Sequence, residues 1–158
     1  DWRVSGYDMQ LTWRPKLHTT VYLQYANVRF TSARVSRVTP EFVGVGGDEF
    51  SIPKHVGSLF ITHQFGNGWS ASLLSYHQSR TKWRGGGIGS SPISSWFRHD
   101  LAISKKWRLN KQTFKLDLKV DNIADEDYVE YQAGNIQKGN MAGNYFSRRV
   151  HLSASLEW

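Results

Sequence analysis

Long stretches of alternating apolar and polar side chains are the feature that most constrains what this chain can fold into. In residues 113–122, Phe114, Leu116, Leu118 and Val120 share one face of an extended chain, and charged residues occupy the positions between them. A period of two is the side-chain repeat of a β-strand, whereas a helix would scatter these charges around its circumference. The pattern therefore predicts an all-β protein.

Seven segments carry this alternation or a weaker form of it. Most exceed the five or six residues of an ordinary strand and match the 9–11 residues that a tilted strand needs to cross a bilayer. The mean hydropathy of −0.51 does not exclude a membrane, because alternating strands average to a polar value. We therefore expect antiparallel transmembrane β-barrel strands at residues 2–13, 18–30, 53–65, 69–79, 96–107, 112–122 and 145–158.

The connections between these strands alternate between short and long. Short turns on one side and long loops on the other are typical of outer-membrane barrels, in which the short side is periplasmic. Aromatic residues lie at the short-turn ends of the strands, where they would form a girdle at one membrane interface. These residues are Trp13, Phe65, Trp69, Trp107 and Trp158.

The odd strand count predicts a section of a larger barrel, since bacterial single-chain barrels close with an even number. Two alternatives stay open at this point. The first is an eight-stranded barrel with one strand hidden in residues 31–52, near residues 42–45. The second is a soluble sandwich whose core ends are aromatic.

Five motifs, in order, resemble the C-terminal barrel region of TonB-dependent outer-membrane receptors of the ferric siderophore type. Asn122, Asp125 and Tyr128 match the Asn-Leu-Phe-Asp-x-x-Tyr motif that follows the penultimate strand, although Ile123 and Ala124 depart from its commonest residues. The other four motifs are Gly6-Tyr7-Asp8-Met9-Gln10-Leu11 with Pro15, Pro53-Lys54-His55, Arg98-His99-Asp100-Leu101, and Arg149-Val150-His151-Leu152-Ser153.

The resemblance implies that residues 1–158 form the last seven strands of a 22-stranded barrel. It implies a multi-pass protein of the bacterial outer membrane that transports a scarce nutrient, most commonly a ferric siderophore. The family's plug domain and TonB box lie N-terminal to this region and are not recognisable in this chain. The expected partners are the ferric chelate, outer-membrane lipid, TonB through the N-terminal region, and the barrel-assembly machinery.

Two long loops hold the expected ligand contacts, because aromatic rings and cations suit an anionic ferric chelate. The candidates are Lys82, Trp83 and Arg84 in one loop and Tyr128, Tyr131 and Gln132 in another. Charged residues at alternate strand positions would face the lumen, and we expect them mainly to form structural salt bridges. They are Arg98, Asp100, Lys115, Asp117, Lys119, Asp121 and Arg149.

The last strand resembles the assembly signal of outer-membrane proteins, which alternates apolar residues and ends on an aromatic. We expect Val150, Leu152, Ala154, Leu156 and Trp158 to act as that signal.

Other functions find less support in the sequence. Cysteine is absent, which excludes disulfides and thiol nucleophiles. His77 and Ser79 resemble the His-x-Ser pair of an outer-membrane phospholipase, but no Asn lies between Asn67 and Asn110 to orient the imidazole. The net charge of +7 is dispersed, with no basic helix, so we expect no nucleic-acid partner.

We therefore predict a transporter without enzyme activity, cofactor or metal site. The two rival functions are a small complete barrel for adhesion or membrane integrity, and the phospholipase.

Overall fold

The computed structural model describes residues 2–33, 52–84, 90–135 and 140–158, and the elements within them are all β-strands. None of these residues belongs to a helix that is long and apolar enough to span a membrane. The strands are β1 (Trp2–Lys16), β2 (Thr19–Ala33), β3 (His55–Gln64), β4 (Trp69–Gln78), β5 (Thr81–Arg84), β6 (Ser90–Ile93), β7 (Trp96–Leu109), β8 (Gln112–Asp121), β9 (Tyr128–Asn135), β10 (Asn140–Phe146) and β11 (Arg149–Glu157).

Seven of these strands form one antiparallel sheet in the order β1-β2-β3-β4-β7-β8-β11. This confirms the prediction of seven antiparallel strands. Strands β1 and β11 lie at opposite edges of the sheet and do not pair with each other, so the described residues form an open section of wall. Strand β2 pairs directly with β3, so no further strand lies between them, and residues 42–45 lie outside the described part of the chain.

Tight turns join the sheet strands at one end. Lys16 pairs with Thr19 across the first turn, and Leu109 pairs with Gln112 across the third. In the second turn Gly68 has a φ of 77°, and a Cβ atom there would overlap the carbonyl oxygen of Lys106. Glycine is therefore required at this position by both backbone conformation and space.

The cross-strand register separates the side chains into an apolar and a polar face. Leu118 pairs with both Leu152 and Ile103, so apolar residues meet across three strands. Asp117 pairs with Ser104 and Ser153 on the opposite face. Of the five predicted girdle aromatics, Trp13, Trp69 and Trp107 have cross-strand partners that place them on the apolar face at the short-turn end.

The apolar face has no protein layer over it in the described residues. Its large side chains stay accessible, with Leu11 58%, Leu152 70% and Val150 64% exposed. A soluble sandwich would bury this face against a second sheet. Accessible apolar residues on one side of a polar-lined wall are what a barrel presents to lipid.

The long connections contain two short hairpins that the sequence analysis described only as loops. Strand β5 pairs with β6, and β9 pairs with β10. The predicted last strand also began too early, because Tyr145 and Phe146 belong to β10 and pair with β9. Strands β6 and β9 contact each other, so the two hairpins lie side by side above the sheet.

Candidate functional site

A polar and aromatic cluster occupies the loop end of the polar face, where β7 begins. Arg98 and Asp100 are two residues apart on β7, which places both side chains on one face of the strand. The Arg98 Nε atom donates to both Asp100 oxygens at 3.0 Å, and Nη2 donates to Oδ2 at 2.7 Å. This forked geometry is the strongest kind of arginine–carboxylate pairing, and it fixes the guanidinium on a buried carboxylate.

Asn122 connects this ion pair to the start of the last loop. Its backbone N–H donates to Asp100 Oδ1 at 2.9 Å, and its side-chain Nδ2 donates to the carbonyl oxygens of Glu126 at 2.8 Å and Phe146 at 3.0 Å. The residue is 1% exposed and has a φ of 53°. Asn tolerates this left-handed conformation better than most residues, which explains Asn at the position where the chain leaves the strand.

Asp125 stabilises the same turn through one backbone hydrogen bond and two side-chain contacts. Its N–H donates to the Asn122 carbonyl at 2.9 Å, and its own φ is 56°. One carboxylate oxygen accepts from the Arg148 backbone N–H at 2.9 Å, and the other lies 3.2 Å from Arg148 Nη2. Asp125 thereby ties the beginning of the loop to the residues just before β11.

Tyr128 completes the cluster and lies between two other rings. Its ring centroid is 4.3 Å from that of Trp96 and 5.4 Å from that of Phe146, and both contacts are stacked. Arg98 Nη1 donates to the Tyr128 hydroxyl at 3.4 Å. Tyr76 adds a fourth ring, 5.2 Å from Trp96.

The cluster therefore supports the β9–β10 hairpin on β7 and the end of β8. The charges of Arg98 and Asp100 compensate each other, and the Asp100 carboxylate is buried. Among the described residues, the indole N–H of Trp96 is buried without a hydrogen-bond partner. The stacked rings and Arg98 are occupied by one another and by Asp100, so the arrangement holds the loop end in place.

The structure assigns the six predicted ligand contacts to the two hairpins. Lys82, Trp83 and Arg84 belong to β5, where their backbones pair with Pro92, Ser91 and Ser90. Tyr131 and Gln132 belong to β9. The side chains of these five candidates lie outside the described part of the structure, so their ligand contacts stay predictions.

Tyr128, the sixth candidate, starts β9 and is 4% exposed. Its contacts place it beneath the hairpin, among Trp96, Phe146 and Arg98. Its ligand contact also stays a prediction, and it requires the hairpin above it to move.

Salt bridges on the polar face confirm the expected structural role of six of the strand charges, whereas the seventh, Arg149, lies over the Phe146 ring at 5.6 Å. Arg98–Asp100, Lys115–Asp117 and Lys119–Asp121 each join residues two apart on one strand, at 2.7, 2.8 and 2.7 Å. Asp117 also accepts a hydrogen bond from Ser104 on the neighbouring strand.

The two residues of the phospholipase alternative have other partners. His77 Nδ1 lies 3.1 Å from the Trp96 carbonyl oxygen, and its ring stacks on Phe97 at 4.2 Å. The Ser79 hydroxyl accepts from the His55 backbone N–H at 3.1 Å. Neither of these contacts joins His77 to Ser79.

The described residues contain no group of three His, Cys, Asp or Glu side chains that could hold a metal ion.

Three aromatic members of the cluster, Tyr76, Trp96 and Phe146, were not recognised from the sequence as site residues. Trp96 and Tyr76 carry no motif of their own. The available signal was their position on the strands. Tyr76 pairs with Arg98 and Gln78 pairs with Trp96, so Tyr76 and Trp96 lie on the same face of β4 and β7 as Arg98.

Comparisons with known proteins agree with this architecture. Residues 3–123 match the family model described as TonB dependent receptor-like, beta-barrel. A comparison with curated proteins gives no significant match.

Three solved structures share the fold. The chain is similar to the ferric-catecholate import receptor Fiu from E. coli K12 in its closed form, with a TM-score of 0.70, 19% identity, and coverage of 97% of this chain and 20% of that one. It is similar to the siderophore receptor PiuA from Acinetobacter baumannii, with a TM-score of 0.68, 16% identity, and coverage of 97% and 21%. It is also similar to the ferric citrate transporter FecA in the unliganded form, with a TM-score of 0.60, 18% identity, and coverage of 89% and 21%.

At these identities the likeness shows the fold. The chain spans about a fifth of the length of each of these structures.

Proposed function

Because the chain belongs to the TonB dependent receptor-like β-barrel family, we propose that it forms the C-terminal wall of an outer-membrane transporter for a scarce nutrient, a ferric siderophore. Residues 1–158 supply seven strands, and the plug, the TonB box and the other strands come from the rest of the protein. TonB supplies the energy, and the barrel-assembly machinery inserts the protein. No catalytic step is part of this function.

The observation that carries the proposal is the shared fold with three iron-chelate receptors and transporters over most of this chain. The arrangement of the loop end supports it. Two hairpins with aromatic and cationic residues lie side by side, and the Asn122 turn joins one of them firmly to the wall.

The charge of the hairpins suits an anionic ferric chelate. Lys82 and Arg84 lie two residues apart on β5, and Trp83 lies between them. Cations at the mouth of a channel raise the local concentration of anionic ligands and their association rate. Aromatic rings supply the apolar contact area that bulky ligands need.

The test is ligand binding by the full-length protein, measured by fluorescence quenching against ferric catecholates, ferric citrate, haem and cobalamin. We expect a ferric chelate to bind and the double variant Lys82→Gln/Arg84→Gln to weaken that binding about 10-fold or more. Lys106→Gln/Arg108→Gln is the matched control, because it also removes two cations, but at the short-turn end. Binding of haem or cobalamin alone would refute the ferric-siderophore assignment while leaving the transporter family intact.

A further inference from the structure

Positive charge is concentrated at the short-turn end of the sheet. Residues 13–19, 65–69, 105–113 and 157–158 contain six Lys or Arg residues against one Glu. This end therefore carries five of the seven net positive charges of the chain. The six cations are Arg14, Lys16, Lys105, Lys106, Arg108 and Lys111.

These six cations have no carboxylate partner among the described residues, which is also true of Arg29, Lys54, Arg80 and Arg149 elsewhere. Within the described residues, Arg98, Lys115, Lys119 and Arg148 each pair with an aspartate, and none of the six short-turn cations does. A cation without an internal counter-ion remains available to an external anion.

Lys16 and Lys105 lie on the apolar face. Lys105 pairs across the sheet with Trp69 and Leu116, which belong to the apolar face. Lys16 pairs with Thr19, and Thr19 in turn pairs with His63 on the apolar face of β3. By contrast, Lys106 and Arg108 belong to the polar face, where they pair with Lys115 and Thr113.

Lys105 is held within the aromatic girdle. Its Nζ atom lies 4.9 Å from the ring centroid of Trp69 and 5.7 Å from that of Trp107, and it donates to the Asn67 carbonyl at 2.5 Å. Indole rings favour the headgroup level of a membrane, and a lysine stem can lie on apolar surface while its ammonium group reaches the polar zone. The girdle thus sets the depth of this ammonium group at the lipid phosphates.

We infer that the apolar-face lysines, Lys16 and Lys105, bind the phosphate groups of anionic glycerophospholipids in the leaflet at the short-turn end. The inference rests on the membrane location in the proposed function and not on its ligand. An acidic protein segment inside the barrel would instead contact Lys106 and Arg108 on the polar face.

The test uses the full-length protein in vesicles of phosphatidylcholine with a minor fraction of phosphatidylglycerol. The protein is extracted in mild detergent, and the phosphatidylglycerol that stays bound is measured by native mass spectrometry. The variant Lys16→Gln/Lys105→Gln is compared with Lys106→Gln/Arg108→Gln, which removes two cations from the same end but from the opposite face. Heat-modifiable migration on gels verifies that each variant is folded.

We expect the apolar-face variant to retain phosphatidylglycerol roughly 5- to 30-fold less well, since each basic residue near an anionic lipid surface contributes about one kcal/mol. The polar-face variant retains it as the unaltered protein does. The variant Lys16→Arg/Lys105→Arg keeps both positive charges, so we expect it to retain phosphatidylglycerol as well as the unaltered protein does.

Three results would overturn the inference. Equal loss in both glutamine variants would indicate long-range attraction without a site, and loss confined to the polar-face variant would indicate an acidic partner there. An unaltered protein that inserts but shows no preference for phosphatidylglycerol contradicts this inference alone. An unaltered protein that does not insert contradicts the proposed function as well.

Discussion

At the residue scale, Asn122 contributes most to the loop end, since its backbone and side chain join Asp100, Glu126 and Phe146. Sequence reasoning located this residue through its motif and placed it correctly after the penultimate strand. It did not predict the bond to Asp100, because the partners are 22 residues apart. Such a pairing depends on the register of β7 with β8, which single-strand periodicity leaves open.

Replacing Asn122 by Ala should loosen the β9–β10 hairpin. The partly buried carbonyl oxygens of Glu126 and Phe146 would both lose their donor, at a combined cost of about 2 kcal/mol. Hydrogen exchange of the β9 and β10 amides in the full-length protein should then accelerate roughly 30-fold through local opening.

Asn110→Ala is the control for that measurement. Asn110 also has a positive φ, 57°, but it is exposed in the turn between β7 and β8. Replacing Asn110 by Ala therefore carries the same cost of a positive φ as replacing Asn122, but it removes no side-chain hydrogen bonds to the hairpin. Equal exchange rates in the two variants would show that the Asn122 side chain does not hold the hairpin.

Gly6 is required by a close approach between β1 and β2. A Cβ atom at this position would overlap the carbonyl oxygen of Asn27. Gly6→Ala should therefore force the two strands apart and destabilise the barrel by about 1–3 kcal/mol. Gly66→Ala is the matched control, because a Cβ there meets nothing within 4 Å. Urea unfolding of the full-length protein should separate the two variants, and coincident midpoints would contradict the close-approach argument.

At the scale of elements, the sheet strands were predictable and the hairpins were not. The alternation in β8 and β11 runs uninterrupted, and both strands were placed within a few residues of their observed ends. Strand β5 has only four residues and is followed by Gly85-Gly86-Gly87, while β6 contains Pro92. Glycine and proline indicate loops, and four residues are too few for a period to be recognised.

Strand β11 is where the predicted assembly signal can be tested. Val150 and Leu152 are exposed on this edge strand, and the following Trp158 is 91% exposed. Trp158→Ala should lower the amount of heat-modifiable protein in the outer membrane several-fold if the terminal aromatic is read during assembly. Trp107→Ala removes a girdle tryptophan from β7 instead and should have the smaller effect. If the two variants lower the amount of folded protein equally, Trp158 acts only as a girdle residue and not as part of an assembly signal.

At the scale of the whole molecule, the open sheet predicts how the isolated chain behaves. Strands β1 and β11 each present an unpaired edge, and the apolar face is uncovered in the described residues. Such edges recruit further strands, so the 158-residue chain alone should form oligomers in detergent. Light scattering of the isolated chain checks this, and a stable monomer would show that its edges can close on each other.

The same-strand ion pairs of the polar face have a consequence for anything that travels along the wall. On β8, opposite charges alternate about every 7 Å from Lys115 to Asp121, because residues two apart on a strand are separated by two rises of the chain. Lys115 and Lys119 are each compensated by the next aspartate on β8, so an anion passing this strand meets shallow attractions of short range. In the proposed transporter, this part of the wall therefore favours release of an anion over its capture.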